Sequence, residues 1–203
     1  EVLRVLKKVS GHTYLLESAD EDRRWGRYSF LGYDPLMEIT CRNGTTRIKT
    51  ALTAQTVTQD VRSCIRDIIR ENRSPRMDDL PSFTGGLVGY FSYDYIKYSE
   101  PKLKLDARDE DGFDDVNLML FHKVIAFDHY RQKIILISNI KTDDIEANYN
   151  KAVLELGGMR QLICGGEKAP AQPLKLKSEF TPLFSEEEYC RMVRRGKQYI
   201  REG

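Results

Sequence analysis

The chain has 203 residues, 40% of them hydrophobic and 31% charged, and its 32 basic side chains against 31 acidic ones leave a formal net charge of +1. A chain of this size can bury roughly 70% of its unfolded surface, and its near-neutral balance argues against a dedicated nucleic-acid or membrane surface, because phosphate binding needs a concentrated positive field. No stretch approaches a membrane span, no charged-then-apolar leader is present, and Cys41, Cys64, Cys164 and Cys190 show neither CxxC nor metal-type spacing, which favours a reducing, cytoplasmic setting.

In chain order, residues 13–18 and 27–33 read as strands separated by a charged arch. Leu36 to Lys49 reads as a hairpin: Met37, Ile39 and Cys41 alternate with polar residues, and Asn43-Gly44 supplies the two positive-φ positions of a type I′ turn. From Thr58 to Asn72 the spacing predicts an amphipathic helix with Thr58 as N-cap and Val61, Cys64, Ile65, Ile68 and Ile69 inward. Residues 82–95 read as a strand entered through glycines, and residues 96–115 as a long exposed excursion. Two apolar strands follow, Asn117–Phe127 and Gln132–Ile140, joined by the turn at 128–131. A second helix is predicted over 142–163, with Ile145, Tyr149, Ala152, Val153, Leu156, Met159 and Leu162 on one face and weakened at Gly157-Gly158. Residues 165–177 have linker composition, and Ser185 with Glu188 forms a capping box opening a last helix whose Tyr189, Met192, Val193 and Ile200 face inward. The fold class this implies is α+β, a mainly antiparallel sheet with covering helices.

Three patterns invite chemistry and are better explained without it. Gly85-Gly86-Leu87-Val88-Gly89 lacks the ending of a phosphate loop and a following helix; glycines where a strand meets another backbone are the commoner cause. His12, His122 and His129 lack zinc-type neighbours, and no nucleophile elbow supports a serine–histidine–acid set. The acids at 109–111 and 114–115 break the EF-hand spacing and read as a solvated loop.

A fourth pattern is more specific. Glu17 and Ser18 end the first strand, and Arg27, Tyr28 and Ser29 begin the next, so strand pairing would bring the five polar residues together. A carboxylate there can bind an ammonium group, and hydroxyl and N–H groups can bind a carboxylate, as an amino-acid ligand requires. An ordinary polar hairpin tip fits the same pattern.

Residues 15–18 (LLES), 26–35 (GRYSFLGYDP), 85–94 (GGLVGYFSYD), 118–138 and 185–203 together resemble the amino-terminal region of the anthranilate synthase component I family of chorismate-utilising enzymes. The resemblance implies the N-terminal domain of a larger β-sandwich and helix enzyme: a regulatory domain at 1–165, a linker at 166–180, and the start of a catalytic domain at 181–203. It implies an enzyme that converts chorismate and ammonia, released from glutamine by an amidotransferase subunit, to anthranilate and pyruvate, with Mg²⁺ on the substrate. The family's catalytic and metal-binding residues match no position here, so this stretch alone is expected to be inactive; both ends also read as interior to a longer protein. The family's L-tryptophan inhibitor site does match: Leu16, Glu17 and Ser18, with Tyr28 and Ser29 from the following strand. Some members carry a lysine near that point, where this sequence has Arg27-Tyr28. Aminodeoxychorismate synthase component I and a non-catalytic amino-acid-binding module are the alternatives.

Overall fold

The structure is a computed structural model that describes residues 1–18, 26–57, 59–100, 102–103, 109–171 and 173–203. These form two compact units, Glu1–Pro170 and Ala171–Gly203. The first has the expected mix of helices and antiparallel strands, but its described strands make two sheets rather than one.

The chain opens with helix α1 (Val2–Val9), which the sequence reading left unassigned. It buries Val5 and Leu6 and places Lys7 and Lys8 in its last turn, where cations complement the helix dipole. Strands β1 (Thr13–Leu16) and β2 (Tyr28–Tyr33) follow. The chain then leaves for a second sheet made of β3 (Met37–Arg42), β4 (Thr45–Thr50), β5 (Ala54–Val57), β6 (Gly86–Phe91) and β7 (Val116–Phe121), before β8 (Lys123–Asp128) and β9 (Lys133–Ser138) return to the first. The strand orders are β1-β2-β8-β9 and β5-β4-β3-β7-β6, and every pairing is antiparallel.

The predicted strand at 117–127 is therefore two strands, broken at His122. Phe121 pairs with Gly86 in one sheet and Lys123 with Ser138 in the other. The His122 carbonyl at the break accepts from both the backbone N–H and the side-chain amide of Asn139, at 2.9 and 3.0 Å. The apolar run hides this switch because Leu120, Phe121 and Val124 are buried on both sides of it. An aromatic seam joins the sheets: Tyr14 of β1 packs edge-on against Phe121 of β7 at 4.7 Å, and Phe83 touches both Tyr14 and Phe30.

Each sheet has its own helical cover. Helix α2 (Val61–Glu71) packs Val61, Cys64 and Ile68 on Ile39, Cys41, Val116, Leu118 and Leu120. Its cap is Asp60, whose carboxylate accepts from the N–H groups of Arg62 and Ser63 at 3.0 and 3.2 Å; Thr58 lies outside the described residues. Ile69, expected inward, is exposed. Helix α3 (Ile145–Gly165) runs unbroken through Gly157-Gly158 and is capped by Asp144. Met159 of α3 joins Leu6, Leu31, Tyr33 and Ile125 in the other core, whereas Ile145, Tyr149 and Val153, placed on the same face by the sequence reading, are exposed.

Residues 101 and 104–108 of the predicted excursion over 96–115 lie outside the described residues, but both of its ends carry structure. A 3₁₀ helix spans Tyr93–Tyr98, and Asp115 is buried. Its carboxylate accepts from Lys97 Nζ and the Tyr98 hydroxyl, both at 2.7 Å, and from the Asn43 N–H at 2.8 Å. Tyr98 in turn accepts from the Gly44 N–H at 2.7 Å, so this cluster holds the turn between β3 and β4, where Asn43 and Gly44 have φ of 47° and 78°. Burial alone would raise the Asp115 pKa, but the bonds from Lys97, Tyr98 and Asn43 more than offset it and hold the carboxyl below its usual range.

In the second unit, α4 (Glu186–Glu202) carries the predicted capping box: Glu188 N–H donates to Ser185 Oγ at 3.3 Å, and the Ser185 N–H donates to Glu188 Oε2 at 2.9 Å. None of its residues is buried, so Tyr189, Met192, Val193 and Ile200, expected inward, are exposed.

Met159 is wholly buried and Leu154 is 77% exposed on the same helix. Met159→Ala is expected to destabilise the first unit by about 2–4 kcal/mol through the cavity it leaves, and Leu154→Ala by no more than about 0.5 kcal/mol, measured by urea unfolding followed by circular dichroism.

Candidate functional site

The register of β1, β2 and β8 decides what meets at the tip. Leu16 lies opposite Phe30, and Tyr28 and Ser29 lie opposite Asp128 and Phe127. Asp128 is almost completely buried, and a buried carboxylate is stable only when its oxygens are paired. Arg27 supplies two parallel bonds, Nε to Oδ1 at 3.1 Å and Nη2 to Oδ2 at 2.6 Å, and the N–H groups of Tyr130 and Arg131 donate to Oδ1 at 3.1 and 3.0 Å. Chiefly because of the Arg27 bonds, and against the cost of burial, the Asp128 carboxyl is held well below the usual carboxylate range.

Arg27, one of the five polar residues at the strand ends, is thus engaged with Asp128. Its guanidinium also lies over the Tyr28 ring at 4.7 Å, and Tyr28 stacks on Phe30 at 5.7 Å. The backbone N–H of His129 donates to the Arg27 carbonyl at 2.9 Å, which sets the turn after β8 beside the start of β2.

Of the five predicted site residues, the structure brings Glu17 and Ser29 together. Ser29 is buried, and its hydroxyl lies 3.5 Å from Glu17 Oε1 and 2.7 Å from His129 Nε2. Glu17, Ser18 and Leu16 are exposed at the end of β1, with Leu15 also exposed beside them. Tyr28 faces elsewhere: with Arg27, Phe83, Gly85, Gly86 and Arg131 it lines an open cleft of about 1090 Å³ bounded by the loop after α2, which none of the other four residues lines.

His129 and Asp128 are the residues the sequence reading missed. The turn was recognised, but no local signal says that a turn near residue 129 meets a serine a hundred positions earlier. The other expectations fared unevenly. A Cβ at Gly89 would collide with the Asn117 carbonyl across the β6–β7 pair, which accounts for that glycine by close backbone approach. The acidic loop is not uniformly solvated, since Asp115 is internal. Among the described residues, no group of three His, Cys, Asp or Glu side chains could hold a metal ion, and no helix is long and apolar enough to cross a membrane.

Residues 11–203 match the family described as chorismate binding enzyme. The chain belongs to that chorismate-binding family. Its similarity to anthranilate synthase component 1 runs almost end to end: 34% identity to the Acinetobacter calcoaceticus protein over 99% of this chain, and 31% to the Acetivibrio thermocellus protein over 94%. The solved structure of anthranilate synthase component I from Streptococcus pneumoniae matches with a TM-score of 0.60 and 25% identity, covering 96% of this chain and 41% of that one. An aminodeoxychorismate synthase component 1 from Bacillus subtilis is 28% identical over 95% of this chain. The chain spans only 42% and 40% of the first two of these relatives, so the matched region is one part of a larger chorismate-binding architecture.

The Arg27–Asp128 pair fixes the tip of this family member and can be tested directly. Because the folded Asp128 carboxyl is held low, its contribution to stability is complete above the unfolded value of about 3.9 and is lost as pH falls through the lower folded value. Asp128→Asn is expected to lower the melting temperature at pH 7 by about 5 °C or more. The gap between variant and wild type should narrow as pH is taken below about 4, read by thermal melts across a pH series.

Proposed function

We propose that the chain is the amino-terminal part of an anthranilate synthase component I. The complete protein would convert chorismate to anthranilate and pyruvate, in the cytoplasm and on the route to tryptophan, with ammonia released from glutamine by an amidotransferase subunit. The similarity to proteins of that name over nearly the whole chain supports this reading. Mg²⁺ would act on chorismate through residues outside 1–203, since the family's metal-binding residues match no position here. By the same reasoning this stretch alone would be inactive, with a regulatory domain over 1–165, a linker over 166–180, and the first helix of the catalytic domain within 181–203.

The tip of β1 and β2 would be this chain's share of a site for L-tryptophan as feedback inhibitor. The observation that carries this is the meeting of Glu17 with the buried Ser29 hydroxyl at the end of a rigid strand pair, next to the exposed Ser18 and Leu16. A zwitterionic amino acid needs an anion for its ammonium, hydroxyl and N–H donors for its carboxylate, and an apolar wall. Glu17, Ser18 and Leu16 offer one of each; Tyr28, assigned to the same site by the resemblance, lines the neighbouring cleft instead. Inhibition would then be a coupling free energy between this site and the chorismate site.

Ser18→Arg in the complete protein is expected to raise the tryptophan inhibition constant, relative to the KM for chorismate, by more than about tenfold, since filling the site and adding a cation opposes the ligand's ammonium; an unchanged ratio would show that tryptophan binds elsewhere. The 203-residue chain alone is expected to bind tryptophan weakly or undetectably in calorimetry, and tight binding would count against a site completed by the rest of the protein.

The relative that makes aminodeoxychorismate favours a second reading, the folate-pathway enzyme. Incubating the complete protein with chorismate and either ammonia or glutamine plus amidotransferase separates them: release of anthranilate supports the first reading, and accumulation of aminodeoxychorismate replaces it with the second.

A further inference from the structure

The Ser29 hydroxyl sits between two groups that both want its proton. It has one proton to donate, and the Glu17 carboxylate can only accept. If His129 Nε2 carried no hydrogen, the Ser29 proton would go to the imidazole at 2.7 Å, and the serine oxygen would face Glu17 Oε1 at 3.5 Å as one acceptor against another. If Nε2 carries the hydrogen, the ring donates to Ser29 and Ser29 donates to Glu17. Every group is then used in its natural sense, and each bond polarises the next.

His129 is itself held for this role. Its N–H is bonded to the Arg27 carbonyl, and its own carbonyl accepts from the Gln132 amide at 2.7 Å. Among the described residues, Asp128 is occupied by Arg27 and by the N–H groups of Tyr130 and Arg131, and Glu17 is the carboxylate at Ser29.

We propose that His129 is a positioning residue for the inhibitor site: through Ser29 it orients the Glu17 carboxylate that receives the ammonium group of an amino acid. This rests on the reading of the β1 tip as part of a tryptophan site. The chain Nε2–H to Oγ–H to Oε1 makes the affinity for the amino acid depend on a residue that need not touch it.

Two measurements test it, and they fail separately. The chain contains three histidines, so long-range ¹H–¹⁵N NMR of the imidazoles, assigned with His129→Gln, reads the tautomer without any inhibitor. Hydrogen on Nε2 of His129 is expected, with a changed signal in Ser29→Ala; hydrogen on Nδ1 alone overturns the proposal. In the complete protein, His129→Phe is expected to raise the ratio of the tryptophan inhibition constant to the chorismate KM about tenfold, the scale of one hydrogen bond to a charged group. His129→Gln, whose amide can still donate to Ser29, should restore the ratio to within about threefold. A wild-type ratio in His129→Phe, with inhibition lost in Ser18→Arg, overturns the role of His129 and leaves the pocket standing. Unchanged ratios in both variants remove the pocket and the proposal with it.

Discussion

The bidentate bond between Arg27 and Asp128 is the constraint on which the tip of the first sheet depends. Asp128 ends β8 at full burial, where an unpaired carboxylate would cost several kcal/mol. Two guanidinium bonds and two turn N–H groups satisfy it, and in doing so they tie the start of β2 to the turn after β8. With those two segments joined, Ser29 and His129 have no choice but to meet, and Glu17 at the end of the neighbouring strand completes the set.

Rigidity behind the tip has a second source. Tyr28 stacks on Phe30, Phe30 meets Phe83, Phe83 meets Tyr14, and Tyr14 meets Phe121, so a row of rings runs from the start of β2 to the place where β7 gives way to β8. Aromatic pairs of this kind lock one another's rotamers as well as burying area. Polar groups mounted on such a scaffold are held more closely than groups on a loop, which a site that discriminates among amino acids requires.

Placement within the chorismate-binding family gives this geometry its meaning and also limits it. The matched region is about two fifths of the relatives' length, and the described residues bring a carboxylate, hydroxyls and exposed leucines to one strand end. Under the proposed reading that strand end is one wall of an amino-acid site, with its anion at Glu17 and a buried hydroxyl at Ser29.

Features set within a few residues were legible in the sequence: the I′ turn at Asn43-Gly44, the Ser185–Glu188 capping box and the α2 stripe through Ile68 all depend on neighbours three or four positions away. So were the strand end near Glu17-Ser18 and, through five ordered segments, the family itself. Tertiary structure alone decided the break at His122, the burial of Asp115, the capture of Arg27, and the partnership of Ser29 with His129. The reason is physical. A carboxylate or hydroxyl carries no periodicity that announces its partner; strand order and register choose it, and here they chose residues 101 and 100 positions away.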